Sequence, residues 1–577
     1  MTTKKDVIFF TFASIINLTK NKDMRTVKIF YIFIISGLIS SCGLENMANK
    51  YNTVSFITTP STLETHGGKV SLSLEAKFAE KYFAKQATVD FTPVLVYNGG
   101  ETAFKTITIQ GEEATGGEST IFNTTGGSFK YQDAITYSVN MINSTLELRA
   151  VAKLKEKEKV LGPLNIANGV VATSTRVQNT EDLANKNHGY EHETILEETA
   201  TIYFLVNQSN IRTTEKSNKS INTLKTFAKN GYKTHSIEII SYASPEGTVN
   251  TNDNVSERRM KSTINYTKKL LHSLKVDGAK NNELYTKTSI GEDWQGFENL
   301  VSNSSMKDKK RINKIINSIS NVDEREQQIK DLAEIYNAIE DNVLPQLRKA
   351  KIIIRSYEPK RTDKEITELS TTKPEELNLN ELLFAATLTS DENAQITIYN
   401  KVVELHNDWS GYNNLACIYL IKNNLTEAMI YLNKAETLGG VNSDILTNKG
   451  VVALRKGDLA TAQKLFSQAN TSENNQAILN IKKGDYAKAA RFFKNAKTHN
   501  ATLAQLLNGK NNARCNEKTA ACHYLNAIAS ARSANNDATI EHLSQAINGD
   551  TKYKKEAIED LEFFNLRDNE SFLELMR

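Results

Sequence analysis

The C-terminal third of this sequence repeats itself at a fixed offset. Ala394, Ala428 and Ala462 stand 34 residues apart, and Leu425 with Leu459 and Ala435 with Ala469 keep the same spacing. Asn424–Ala428, Asp458–Ala462 and Asp485–Ala489 share one signature, a turn residue followed by a helix start that closes on alanine. The step from Ala462 to Ala489 is 27 residues, which implies a shortened first helix in that unit, and Asn536 to Ala546 holds a degenerate further copy. Units of this length cannot bury a core singly, so neighbours have to stack. The pattern predicts an all-α solenoid over 377–577, with the small residues letting paired helices approach closely.

Within that period, Trp409, Tyr412, Leu415 and Tyr419, followed by Ala428, Tyr431 and Ala435, resemble the tetratricopeptide repeat. The resemblance implies concave surfaces that bind peptides or protein subunits and seldom carry chemistry. Cys417, in the same run, is expected to pack inside a helix as a small apolar residue. Cys515 and Cys522 fit either a pair in an oxidising compartment or two free thiols, and the four cysteines show no disulfide framework and no zinc spacing.

At 577 residues the chain is too long for one core, so a multidomain protein is expected. A net charge of +4 gives no reason to expect nucleic acid as a partner. Residues 42–180 alternate apolar and polar side chains, most clearly over 69–74, 87–97 and 146–152, with glycine-rich turns between them. Short strands at such spacing predict an antiparallel β-sandwich. The polar stretch 181–200 is expected to be a linker. His188, Glu191 and His192 within it have the spacing of an inverted zinc-protease motif, but two ligands on one helical face need a helix and Gly189 works against one. A solvated linker without metal is the expectation there.

Residues 201–365 centre on Ile237–Leu271. An apolar β-branched run leads into the Ser244-Pro245-Glu246-Gly247 turn, Ser256 stands where an N-cap would, and Glu257 to His272 is helix-compatible. Strands are predicted at Thr201–Val206, Tyr285–Ile290 and, late, Lys351–Ser356. With Asn252, Ser256 and Arg259, the stretch resembles the centre of an OmpA-like periplasmic domain, which grips the stem peptide of peptidoglycan. The resemblance implies an α+β domain whose ligand-binding residues are Ser244, Asn252, Ser256 and Arg259, the last gripping a carboxylate from the head of the central helix. Ser244 replaces the family's aspartate, so weak or altered peptidoglycan binding is expected. Isoleucines at helical spacing predict an insertion of two or three helices over about 297–346, and a linker follows at 366–376. Glu246, Glu257, Glu292 and Asp293 come without a nucleophile–base pair, so neither catalysis nor a cofactor is expected.

Met24 opens a basic segment, then a short apolar run ends in Ser40-Ser41-Cys42. The run is too short to span a bilayer, and the whole resembles a bacterial lipoprotein signal. That implies a start at Met24, with 1–23 an upstream extension, and acylation of Cys42. The domain order resembles lipoproteins of Bacteroidota. It implies a non-enzymatic outer-membrane scaffold, lipid-anchored and facing the periplasm, with protein partners of an envelope complex and possible contact with peptidoglycan. Two alternatives stand beside it. One is an accessory subunit of an outer-membrane assembly (β-barrel assembly) or secretion complex without cell-wall contact. The other is an envelope hydrolase, which would need a buried, perturbed carboxylate pair within residues 237–360.

Overall fold

The computed structural model describes residues 43–577, apart from the side chains of 333–335, so Met24 and Cys42 lie outside the described residues. Two compact units are present: the chain up to Lys186 together with Asn407–Arg577, and Asn187–His406.

The first unit begins with β1 (Ser55–Thr59), β2 (Thr62–His66), β3 (Lys69–Phe78), β4 (Thr88–Tyr97), β5 (Gly100–Ala103), β6 (Ile107–Gly111), β7 (Ser119–Ile121), β8 (Gly127–Thr136), β9 (Ser144–Leu154) and β10 (Lys157–Val171). Period-2 alternation turns Val70, Leu72, Leu74 and Phe78 of β3 into the same core as Val89 and Phe91 of β4 and Leu146, Leu148 and Ala150 of β9. The expected sandwich of separate antiparallel sheets is replaced by one ten-stranded sheet folded over that core, in the order β1-β3-β2-β10-β9-β4-β6-β7, with β5 on β4 and β8 on β3. The cause is β10. At 15 residues it runs antiparallel to β9 and parallel to β2, with register shifts after Leu161 and Asn165 that bend it from one layer to the other. A helical turn over 43–49 and Tyr51 close the core, and the Tyr51 hydroxyl donates to the Leu148 carbonyl at 3.4 Å.

Helices pair along the rest of this unit: Trp409–Ile421 with Leu425–Gly439, Ser443–Arg455 with Leu459–Ala469, Glu473–Lys483 with Tyr486–Phe493, and Ala520–Arg532 with Asn536–Gly549. Asn424, Asp458 and Asp485 each accept a backbone N–H three residues on, capping the second helix of a pair. Ala428, Ala462 and Ala489 are fully buried at equivalent places. The helix Glu392–His406, whose Ala394 opens the 34-residue offset, lies in the other unit and leaves Ala394 only half-buried, so the array starts at Trp409 rather than 377. The β2–β3 turn rests on the array. Gly67 (φ +57°) comes so close that a Cβ there would stand 2.9 Å from the Lys483 carbonyl oxygen, and His66 Nδ1 is 2.9 Å from the Tyr486 hydroxyl.

The second unit carries β11 (Ile195–Tyr203), β12 (Thr234–Ala243), β13 (Tyr285–Glu292) and β14 (Lys349–Tyr357) in the order β11-β14-β12-β13, with β12 and β13 parallel. Helices Lys219–Ala228 and Val249–Ser273 pack Ile221, Leu224, Ile264 and Leu271 on Ile237, Ile239, Ile352 and Ile354. The insertion holds five short helices between Trp294 and Leu347 instead of two or three, gathered on their own cluster of Phe297, Val301, Ile312, Ile329 and Leu344. Neither expected linker is one. Residues 363–372 are helical behind a Thr362–Glu365 capping box. The rings of His188, Tyr190 and His192 surround Phe384 at centroid distances of 5.0, 4.8 and 5.0 Å.

Ala462→Trp forces a large ring into a fully buried position between paired helices. It should destabilise the first unit by about 1–3 kcal/mol, read as a lower melting temperature of the full chain. A wild-type melting curve would show that Ala462 does not face its paired helix.

Candidate functional site

The four residues expected to hold a ligand in the second unit are brought together, but as framework. The central helix begins at Val249, with Thr248 Oγ1 accepting from Thr251 N–H, so Ser256 is not its cap and Arg259 lies well inside it. Nothing in 249–256 breaks a helix once packing selects one, which is why the earlier start wins. Ser256 is 0 % exposed and knits the helix to the sheet: its Oγ donates to the Ser241 carbonyl at 3.0 Å and accepts from Ser289 Oγ at 2.7 Å. Arg259 is 1 % exposed. Its Nε donates to the Gln208 carbonyl, Nη1 to that of Tyr242 and Nη2 to that of Leu205, at 3.0, 2.9 and 3.1 Å. Burial pulls its pKa down to about 10, with the charge of Arg348 adding to the effect. Asn252 Nδ2 donates to Gly247 O and to Glu292 Oε1, at 3.2 and 2.7 Å.

Ser244 Oγ donates to Glu246 Oε1 at 2.6 Å, and Arg348 holds the same carboxylate with two hydrogen bonds of 2.8 and 2.7 Å. Asp293 is likewise taken by Lys349 at 2.8 Å. The carboxylates of Glu246 and Asp293 are therefore each already paired with a cation. Three of the five Arg259 N–H donors end on main-chain carbonyls, so the frame takes much of the hydrogen-bonding capacity that the expected carboxylate grip would use.

A perturbed carboxylate does exist here. Burial raises the Glu326 pKa to about 7, opposed by its bond to Lys330 and reinforced by the nearby Glu292. The cavity beside it measures about 10 Å³, room for roughly one water and not for a glycan or peptide.

The first unit holds a site that the sequence reading missed. Residues 177–186 lie extended along the array, and four asparagines, three on the first helices of pairs and one on the helix His499–Leu507, each grip one residue of them by both backbone groups. Asn414 Oδ1 accepts from Lys186 N–H and its Nδ2 donates to Lys186 O, at 2.8 and 3.1 Å. Asn448 does the same for Ala184 at 2.9 and 2.9 Å, Asn475 for Asp182 at 2.7 and 2.9 Å, and Asn500 for Gln178 at 2.8 and 2.8 Å. Asn474 Nδ2 reaches the Thr180 carbonyl at 2.7 Å. The gripped residues alternate, as an extended chain requires when one edge faces its partner.

Odd-numbered side chains supply the rest. Val177 and Leu183 pack on the array core, and Glu181 Oε2 accepts from Arg455 Nε and Nη2 at 3.1 and 2.7 Å, with 0 % and 7 % of the two side chains exposed. Arg176 lies over the Tyr524 ring, 4.1 Å from its centre, and pairs with Glu556 and Asp560. Cys417 is buried as expected, below the Ala184 carbonyl, and burial pushes its thiol up to about 12. The stretch 181–186, expected as solvated linker, is thus held along its main chain. Asn414 and Asn448 obey the 34-residue offset of the alanines, so the signal was present in the same alignment. Farther along, Cys515 and Cys522 are joined as a disulfide, Cα atoms 5.6 Å apart, and Asn526 grips the Cys515 backbone by the same two bonds.

Residues 410–438 match the tetratricopeptide repeat. Solved structures similar to the chain include YrrB, described as a TPR protein with an unusual peptide-binding site (18 % identity, 36 % of this chain and all of that one, TM-score 0.21). Pseudomonas aeruginosa pilF is similar at 13 % identity over 37 % of this chain and 90 % of its own (TM-score 0.22), and yeast Tom70 at 15 % over 56 % and 76 % (TM-score 0.19). No curated protein matches the sequence.

Two outcomes follow for the second unit. Arg259→Ala leaves three main-chain carbonyls without their donor, so it should lower unfolding free energy by about 3 kcal/mol in denaturant titration. Unchanged stability would free the guanidinium for a ligand. Glu326, with its folded pKa raised from 4.5 to about 7, stabilises the fold fully below pH 4.5, and that contribution is lost as pH rises through 7. Stability should therefore fall between pH 5 and 8 by at most about 3 kcal/mol, and Glu326→Gln should flatten the profile.

Proposed function

We propose that the chain is a non-enzymatic envelope scaffold, anchored to the outer membrane through an acylated Cys42, facing the periplasm and holding protein partners through its tetratricopeptide array. The asparagine ladder carries this reading. Side-chain amides that pair with both groups of every second peptide unit form a device for holding extended polypeptide, and they offer binding rather than reaction chemistry. The basic segment, apolar run and Ser40-Ser41-Cys42 support the anchor. Between the two binding readings, the commitment of Arg259 to three carbonyls favours an accessory subunit of an outer-membrane assembly or secretion complex over a cell-wall receptor. The small cavity beside Glu326 weighs against the hydrolase.

Purification of the tagged full chain in mild detergent should bring envelope proteins with it, and isolated sacculi should retain little of it. Cys42→Ser should move the protein from the membrane pellet to the soluble fraction. Sacculus retention that persists in Arg259→Lys would restore the cell-wall reading, and a Cys42→Ser chain that stays in the pellet without a co-purifying partner would remove the anchor.

A further inference from the structure

The ladder reads main chain and is indifferent to most side chains, which raises the question of what selects residues 176–186 as its occupant. Three contacts do. Arg455 meets Glu181 in a fully enclosed ion pair, Leu183 enters the array core two residues on, and Arg176 and Val177 fill the far end. An Arg455 guanidinium with no acid opposite would be a buried, uncompensated cation, so any occupant of this groove must carry a carboxylate at that point. The fit of the resident is incomplete: Glu181 Oε1 is buried with no hydrogen-bond partner among the described residues.

Nothing in the local fold depends on the occupant being covalently part of this chain. Asn179, Thr180, Asp182, Asn185 and Lys186 are exposed, and residues 177–186 form neither helix nor strand. Their one backbone–backbone bond is local, from Thr180 N–H to Gln178 O. Their hold is the ladder, the three side-chain contacts and two further bonds, from Asn413 Nδ2 to the Ala184 carbonyl and from Asn500 Nδ2 to Thr180 Oγ1 at 2.8 and 2.9 Å, all of which a second polypeptide of the same pattern can reproduce.

We propose that residues 176–186 are a resident competitor in a peptide groove, and that a partner docks by supplying an extended segment with an acidic residue two positions before an apolar one. This deepens the scaffold reading of the array and rests on it. The gripped positions cannot be proline, which lacks the N–H that each asparagine oxygen accepts. Occupancy by the resident lowers the apparent affinity for any second peptide by the fraction of time the groove stands open.

The test uses the full chain and a fluorescent synthetic peptide of the sequence 174–188, followed by anisotropy. Glu181→Arg sets two cations against each other and opens the groove, so this chain should bind the peptide at least about tenfold more tightly than wild type. A peptide with lysine in place of its glutamate should not bind it. Arg455→Glu should reverse the choice, refusing the glutamate peptide and taking the lysine one. Glu181→Arg combined with Arg455→Glu should close the groove to both, and Asn448→Ala added to Glu181→Arg should weaken binding. Circular dichroism and a melting curve establish that each variant is folded. If Glu181→Arg does not fold, the reversed preference of Arg455→Glu carries the test alone. Equal affinity in wild type and the opened chain, or binding indifferent to Arg455 and Asn448, overturns the proposal. The peptide is synthetic, so a failed co-purification from cells leaves this result standing. Failure here, with partners still co-purifying, moves their docking to another surface.

Discussion

A side-chain amide and a peptide unit are the same chemical group, and the first unit is organised by their pairing. Each of Asn414, Asn448, Asn475 and Asn500 places a donor and an acceptor at the separation of a backbone N–H and C=O, and each finds both on one residue of 177–186. These asparagines are buried, three of them in first helices that otherwise present Leu415, Val451 and Ile478 to the core. An unpaired buried amide would be penalised by roughly 1–3 kcal/mol for each group left unmade. Array and strap therefore need one another, and the β module, joined to the strap through β10, belongs with helices that begin more than two hundred residues later.

The second unit applies the same requirement to residues that resemble a ligand site. Ser256 ties the central helix to β12 and β13, Arg259 ties it to the backbone after β11, and Arg348 with Glu246 closes the turn that carries Ser244. A polar side chain at a motif position can serve a ligand or the frame, and the count of donors against main-chain carbonyls decides which. For Arg259 three of five N–H donors are spent on the frame.

Much of this was legible beforehand for physical reasons. Alanine recurring in phase has to mark helix contacts, because only a small residue fits there, and Ala428 and Ala462 are fully buried. The places of the four strands of the second unit along the chain follow its apolar runs. Other features were hidden. Ser256 reads as an N-cap by local chemistry, while tertiary burial extends the helix back to Val249. The single folded sheet depends on the bend in β10, which alternation alone does not announce. From 181 onward the strap reads as linker because its residues are polar, yet its recognition runs through main chain, which composition does not describe. Asparagine in a helix likewise suggests a wet face, and only its 34-residue recurrence distinguishes a buried ladder.

The order of synthesis gives the strap a particular history. Residues 177–186 leave the ribosome before the helices that clasp them, separated from their partners by 228 to 322 residues. In that interval the β module can close its own core, while its outgoing strand has no groove to enter. Loop-closure entropy grows only with the logarithm of length, so the intervening unit adds little to the final docking. Lys186 at the strap's end is gripped by Asn414 and lies 5.8 Å from the Trp409 ring, at the start of the array. The chain thus departs from this unit and re-enters it at nearly one place, which makes residues 187–406 a cassette between two adjacent ends. Insertion of that kind leaves the host's contacts intact, and it ties the strap of the N-terminal module to helices made more than two hundred residues later.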